Sequence, residues 1–146
     1  MKSRVVWVLV ADGARGRVFQ KQPEGLRHLD GFDFVGENLK DQDLAKDKPG
    51  RSFESSNSTR HAYEPKIDPH EYQKQLFARH LSDFVNKAQE KGEFDELVLV
   101  TPAKTLGDLR AHLGKESLQK VKHEILKDVS KLSDHELGKY LAEVMN

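Results

Sequence analysis

In a chain of 146 residues, 24 basic side chains balance 24 acidic ones. That length holds one domain with a proper core, and neutrality provides no global pull toward nucleic acid or anionic membrane, so any charged site must be a local patch. The absence of cysteine removes disulfide scaffolds, thiolate nucleophiles and Cys-ligated zinc or iron-sulfur centres, and agrees with a reducing compartment.

The first signal is Val5 to Asp12, VVWVLVAD, whose apolar run is too short to span a membrane and is mostly β-branched or aromatic. It reads as a central strand buried on both faces. No small-residue cleavage site follows it, so the basic start MKSR is not read as a secretion signal, and the expected location is cytoplasmic. Asp12-Gly13 is turn chemistry; Gly16 to Gln20 then reads as a second strand and, after the Pro23-Glu24-Gly25 turn, Leu26 to Val35 as a third. These three strands form an antiparallel meander, and its first turn carries Arg15 and Arg17.

From Gly36 to Asp68 the pattern breaks into mixed charges, Pro49-Gly50, a Ser/Asn/Thr run and Pro65, with a turn or two of helix at most over Leu39 to Lys46. A connection of that length in a compact domain is either a solvated linker or a functional loop. Order returns at Asp68-Pro69-His70-Glu71, where an N-cap, a first-turn proline and an acid near the positive helix end announce a helix running to about Lys91, closed by Gly92. Leu97 to Val100 is a further buried strand, followed by Thr101-Pro102 as N-cap and first turn of a helix with Leu106, Leu109 and Leu113 inside and Gly114 at its end. Strand, helix, strand implies a parallel, right-handed crossover beside the first strand. Leu118, Val121, Ile125, Val129 and Leu132 have helical spacing, although Val121, His123 and Ile125 also alternate, and periodicity alone favours helix there. Ser133-Asp134-His135-Glu136 is a capping box for a last helix with Leu137, Tyr140, Leu141 and Val144 on its apolar stripe.

Phosphate-binding GxxxxGK[ST], GxGxxG and the GxSxG elbow are all missing. His70, His123 and His135 each precede a glutamate but are followed four places on by lysine rather than a second histidine, so the helical zinc motif is absent too. Neither a metal nor another cofactor is expected. Asp12, at the end of the first strand, would supply one carboxylate to a metal-dependent nuclease, but an Asp before Gly is more often a turn former. What remains is a set of anion-capable groups at the carboxyl ends of the parallel strands, the edge where open α/β sheets bind ligands. Asp12, Arg15, Arg17, Thr101 and Lys104 are expected there, with Arg51, Arg60 and His61 of the long loop able to fold over them.

Four stretches carry a family resemblance: VLVADGARGRVF at Val8 to Phe19, KDKPGRSFESSNSTRHAYEP at Lys46 to Pro65, FDELVLVTPAKTLGDLR at Phe94 to Arg110, and KDVSKLSDHEL at Lys127 to Leu137. With them the chain resembles, over almost its full length, the bacterial host attachment protein family, described as required for attachment to host cells. That family in turn looks like a relative of the middle domain of archaeal and eukaryotic peptide-chain release factors. The resemblance implies an RNase H-like α/β fold of the ribosomal S11 and L18 type: three antiparallel strands, then two parallel ones, with helices packed on the sheet. It also implies a strand over Lys122 to Lys127, against the periodicity. In release factors the loop before the long helix carries Gly-Gly-Gln; here it holds Pro49, Gly50, Arg51, Ser52 and Phe53.

The resulting expectation is one domain, 1–146, acting as a non-catalytic module that contacts RNA, the ribosome or another phosphate-rich partner through the loop Lys46 to Lys66 and the Asp12 to Arg17 turn. No membrane contact is expected, and a protein partner is open. The alternatives are a hydrolase acting on a phosphoester or peptidyl-tRNA, with Asp12, Arg51, Arg60 and His61 as its site, and a surface protein that aids attachment.

Overall fold

The structure is a computed structural model that describes residues 4–36, 68–129 and 131–144. Nine elements are described: β1 (Val6–Ala11), β2 (Arg15–Gln22), β3 (Gly25–Val35), α1 (Pro69–Glu90), β4 (Glu96–Thr101), α2 (Ala103–His112), α3 (Lys115–Gln119), β5 (Val121–Leu126) and α4 (Asp134–Val144). They form one mixed five-stranded sheet in the order β3-β2-β1-β4-β5, with helices on both sides.

β1 is the centre of the sheet because its side chains satisfy both faces at once. It pairs antiparallel with β2 and parallel with β4, in the register Leu9↔Val18 and Leu9↔Leu99. Alternation then divides the strand. Trp7, Leu9 and Ala11 enter a core with Phe77, Leu81 and Val85 of α1 and Leu109 of α2, whereas Val8 and Val10 enter a second core with Phe19, Val98, Val100 and Leu137 and Leu141 of α4. Trp7 anchors the first core, stacked on Phe84 at 6.0 Å between centroids and lying 5.0 Å from Phe94.

α1 starts and stops where its sequence dictates. Asp68 accepts from the His70 amide at 2.8 Å, Pro69 occupies the first turn, and Gly92 adopts φ +70° beyond the end. Gly92 N–H donates to Gln89 O at 3.0 Å and Glu93 N–H to Ala88 O at 3.0 Å, the paired bonds of a Schellman stop that only a left-handed residue permits cheaply. The last helix is capped as expected. Glu136 N–H donates to Ser133 Oγ at 3.2 Å, and Ser133 N–H donates to Glu136 Oε1 at 2.9 Å, which holds the Glu136 carboxyl below its usual range.

Three expectations are corrected between Thr101 and Leu132. Thr101 belongs to β4, is buried, and donates its hydroxyl to Pro102 O at 3.0 Å, so Pro102 takes the N-cap position without a side-chain cap. Gly114 begins α3 rather than ending α2, whose C-cap is Leu113. The helix read from the spacing of Leu118 to Leu132 is instead the single turn and a half of α3 followed by strand β5, one residue earlier than the resemblance implied. The physical reason is the edge of β4, whose backbone groups take β5 in parallel from Leu97↔Val121 to Thr101↔Leu126. That long-range pairing overrides a local helical spacing. Asn86 makes the junction possible: its amide donates to His112 O at 3.1 Å and accepts from Gly114 N–H at 2.9 Å and from Ser117 Oγ at 2.7 Å. One side chain thus serves both the end of α2 and the start of α3.

Candidate functional site

The carboxyl ends of β1 and β4 lie side by side, and the β1–β2 turn stands over them. Asp12 shapes that turn. Its Oδ1 accepts from Ala14 N–H at 2.8 Å and Arg15 N–H at 2.7 Å, while its own N–H donates to Arg15 O at 2.9 Å. This is an Asx turn, the structural role that an Asp before Gly most often plays. Gly13 lies under the stem of Lys74 from α1, where a Cβ would meet Lys74 Cγ at 2.7 Å.

The sheet divides the expected site residues between its two sides. On the α1 and α2 side stand Thr101, which is buried, and Lys104 in the first turn of α2. Lys104 Nζ lies 2.7 Å from Glu71 Oε2, with Lys74 Nζ 3.9 Å from the other oxygen of the same carboxylate. The Lys104 ammonium holds Glu71 below the ordinary carboxylate value, and Glu71 in return raises Lys104. Lys74 and Lys104 are thus already answered by an acid of the chain itself.

On the α4 side, Arg15 and Arg17 line a groove of about 380 Å³ with Val10, Asp33, Lys131 and Leu132. Arg17 is held in place: Nη1 donates to Asp134 Oδ1 at 2.9 Å, Nη2 approaches Val129 O at 3.5 Å, and the guanidinium sits 5.7 Å from the centre of the Phe19 ring. Asp134 also faces His28 Nδ1 at 3.6 Å, and His28 Nε2 meets Asp33 Oδ1 at 2.7 Å. Asp33, in the groove lining, is thereby tied to His28, and Asp134 to Arg17 and His28. Arg15 and Lys131 are exposed, and among the described residues neither forms an ion pair. The contrast with Arg4, paired to Glu96 at 2.6 Å, and with Arg110, paired to Glu124, is direct.

Asp12, Arg15 and Arg17 are thus brought together by one turn, and Thr101 and Lys104 stand across the sheet from the groove. Arg51, Ser52, Phe53, Arg60 and His61 lie outside the described residues, as does the short helix expected over Leu39 to Lys46. Asp33, Lys131 and Leu132 were not legible as site residues. Lys131 does stand two places before the Ser133 capping box, a signal that it belongs to an exposed turn, but nothing local shows that this turn faces Arg15.

A family model described as "Protein required for attachment to host cells" matches residues 7–141. The chain belongs to this host-attachment family. The match runs from β1 into the last turn of α4 and so takes in both the Asp12 turn and the Lys131 turn. No curated protein matches the chain. Among solved structures, one described as an archaeal protein is similar at a TM-score of 0.45 and 8% identity, over 97% of this chain and 38% of that one. The chain therefore spans much less than two thirds of that protein. Among the described residues of the host-attachment chain, no group of three or more His, Asp or Glu could hold a metal ion, and no helix is long and apolar enough to cross a membrane.

Proposed function

We propose that this host-attachment family member is a non-catalytic binding module for a phosphate-bearing partner, RNA or the ribosome, which it takes at the groove between the β1–β2 turn and Lys131. One observation carries the reading: Arg15 and Lys131 line a single groove beside the fixed guanidinium of Arg17, and neither is neutralised by a carboxylate of the described chain. An arginine fork and a flexible ammonium held at one concave surface suit phosphate oxygens. A strand order of three antiparallel and two parallel strands supports the RNase H-like assignment, and with it the kinship to release-factor middle domains that makes the ribosome the first partner to test. The loop Lys46 to Lys66, with Arg51, Ser52, Phe53, Arg60 and His61, is proposed as a second contact surface. The hydrolase alternative draws no support from Asp12, whose Oδ1 is engaged by two amides of its own turn.

The test is co-sedimentation of the full chain with ribosomes across a salt series. Wild type is expected in the ribosomal fraction at low salt. Arg15→Ala/Lys131→Ala should weaken binding and flatten the dependence of log affinity on log salt by about 0.7 per lost phosphate contact. Arg51→Ala/Arg60→Ala reports separately on the loop. Wild type that stays in the soluble fraction at low salt overturns the reading.

A further inference from the structure

We infer that the groove is built for one nucleotide unit, a base-bearing phosphate, rather than for phosphate alone; the inference rests on the phosphate reading above and specifies what that site recognises. Size is the first argument. About 380 Å³ lies near the small end of the range in which single organic ligands are held, about 300–1,000 Å³, and suits one nucleotide rather than the length of a duplex.

The lining is the second argument. A site for bare phosphate needs only donors, yet Val35 and Leu132, both half-buried, place aliphatic surface in the same groove as Arg15, Arg17 and Lys131. Val10, which also lines the groove, is buried in the second core on the central strand, so the backing of the groove is rigid. Leu132 packs against that core, and its N–H donates to Val129 O at 3.1 Å, which fixes the turn that carries it. A planar base laid against Val35 and Leu132 would remove apolar surface from water, while its phosphate is met by Arg15 and Lys131.

The third argument is the carboxylate. Asp33 has Oδ1 on His28 Nε2 at 2.7 Å, and its side chain is about half exposed beside the groove. A carboxylate repels phosphate, so in a pure anion site it is a defect; next to a nucleotide it is an acceptor for ribose hydroxyls or an amino edge of the base. The groove therefore has a cationic end, an apolar wall and an acceptor, the three kinds of group that a nucleotide presents in complement. Lys104 and Lys74 lack this combination, since Glu71 already lies between them.

The free mononucleotide and a nucleotide exposed in single-stranded RNA share this chemistry, and titration separates them. Inorganic phosphate, ribose 5-phosphate, the four nucleoside 5′-monophosphates and a short unstructured RNA are titrated into full-length wild type, Arg15→Ala/Lys131→Ala and Leu132→Asn, with chemical shifts of the Val35 and Leu132 methyl groups as readout. At least one monophosphate should bind about tenfold or more tightly than ribose 5-phosphate, from the apolar surface its base covers. Leu132→Asn should erase that margin and leave ribose 5-phosphate binding unchanged; Arg15→Ala/Lys131→Ala should weaken every phosphate ligand. Equal affinities for ribose 5-phosphate and all four monophosphates, or a margin insensitive to Leu132→Asn, overturn the inference. RNA binding that needs Arg15 and Lys131 but ignores Leu132, with no mononucleotide bound, removes the nucleotide pocket and leaves the phosphate reading intact. Monophosphates bound with the predicted margin by a protein that ignores RNA and ribosomes uphold the pocket and remove the macromolecular partner.

Discussion

The two sides of the sheet use alternate residues of the same strands and differ in what they leave over. Under α1 and α2, a 22-residue helix and its neighbour close over Trp7, Leu9, Phe77 and Leu81, and the exposed charges nearby are matched: Lys104 and Lys74 to Glu71, Arg110 to Glu124. Under α4, an 11-residue helix packs on Val8, Phe19 and Val100, and the groove on this side holds Arg15 and Lys131, which form no ion pair among the described residues. The lesson is one of division of labour. Among the described residues, the α1 side carries the longer helix and matched charges, and the α4 side carries the groove and its two cations without ion pairs.

The comparison can be broken most forcefully in the two cores. Phe77→Ala, at a fully buried ring in the thicker core, should cost about 3–5 kcal/mol. Leu137→Ala, equally buried under the shorter helix, should cost about 2–5 kcal/mol, nearer the lower end if the 11-residue helix can shift to fill the space left behind. Urea unfolding of both variants measures the difference, and a Leu137 loss as large as the Phe77 loss would mean that the two sides are equally tightly packed.

A smaller effect is expected where the α4 side is hinged. Ser133→Ala removes the hydroxyl that receives the Glu136 amide and should destabilise by about 1 kcal/mol, with Ser133→Thr restoring most of it in thermal melts. Because the cap begins one residue after Leu132, Ser133→Ala should also lower affinity at the groove while leaving the α1 side unaffected.

The smallest effect concerns the matched charges. Glu71 is held below its unfolded value and Lys104 above its own, so each helps the folded state when charged. The carboxylate's contribution is fully present above the unfolded carboxyl value, about 4.3, and is lost as pH falls through the depressed folded value. The ammonium's contribution is fully present below the unfolded lysine value, about 10.4, and is lost as pH rises through the raised folded one. Thermal melts of wild type and Glu71→Gln should therefore differ most between those limits, converge on acidification, and draw together in high salt because the Lys104 side of the pair is exposed to solvent. A difference that persists after full protonation would assign Glu71 a packing role instead.

Much of the fold was legible from single segments. Asp68-Pro69 and Gly92 marked α1 to within a residue, the Ser133 box marked α4, and the unbroken apolar run of Val5 to Val10 announced a strand covered on both sides. β5 was not legible from its own spacing, because Val121 and Ile125 serve a helix or a strand equally and the edge of β4 decides between them. The lining of the candidate groove was legible in half. Asp12, Arg15 and Arg17 are carried by one turn and can be read together, whereas Lys131 and Leu132 lie over a hundred residues away and join them only once α4 is laid on the sheet.

By itself, then, the sequence determined the positions of caps, turns and apolar runs, because those depend on backbone groups satisfied within a few residues. Tertiary structure alone decided which charges would be matched and which left open. A salt bridge such as Arg17 to Asp134 depends on which side of the sheet each residue faces and on how far the covering helix reaches, and neither quantity exists until the strands have paired.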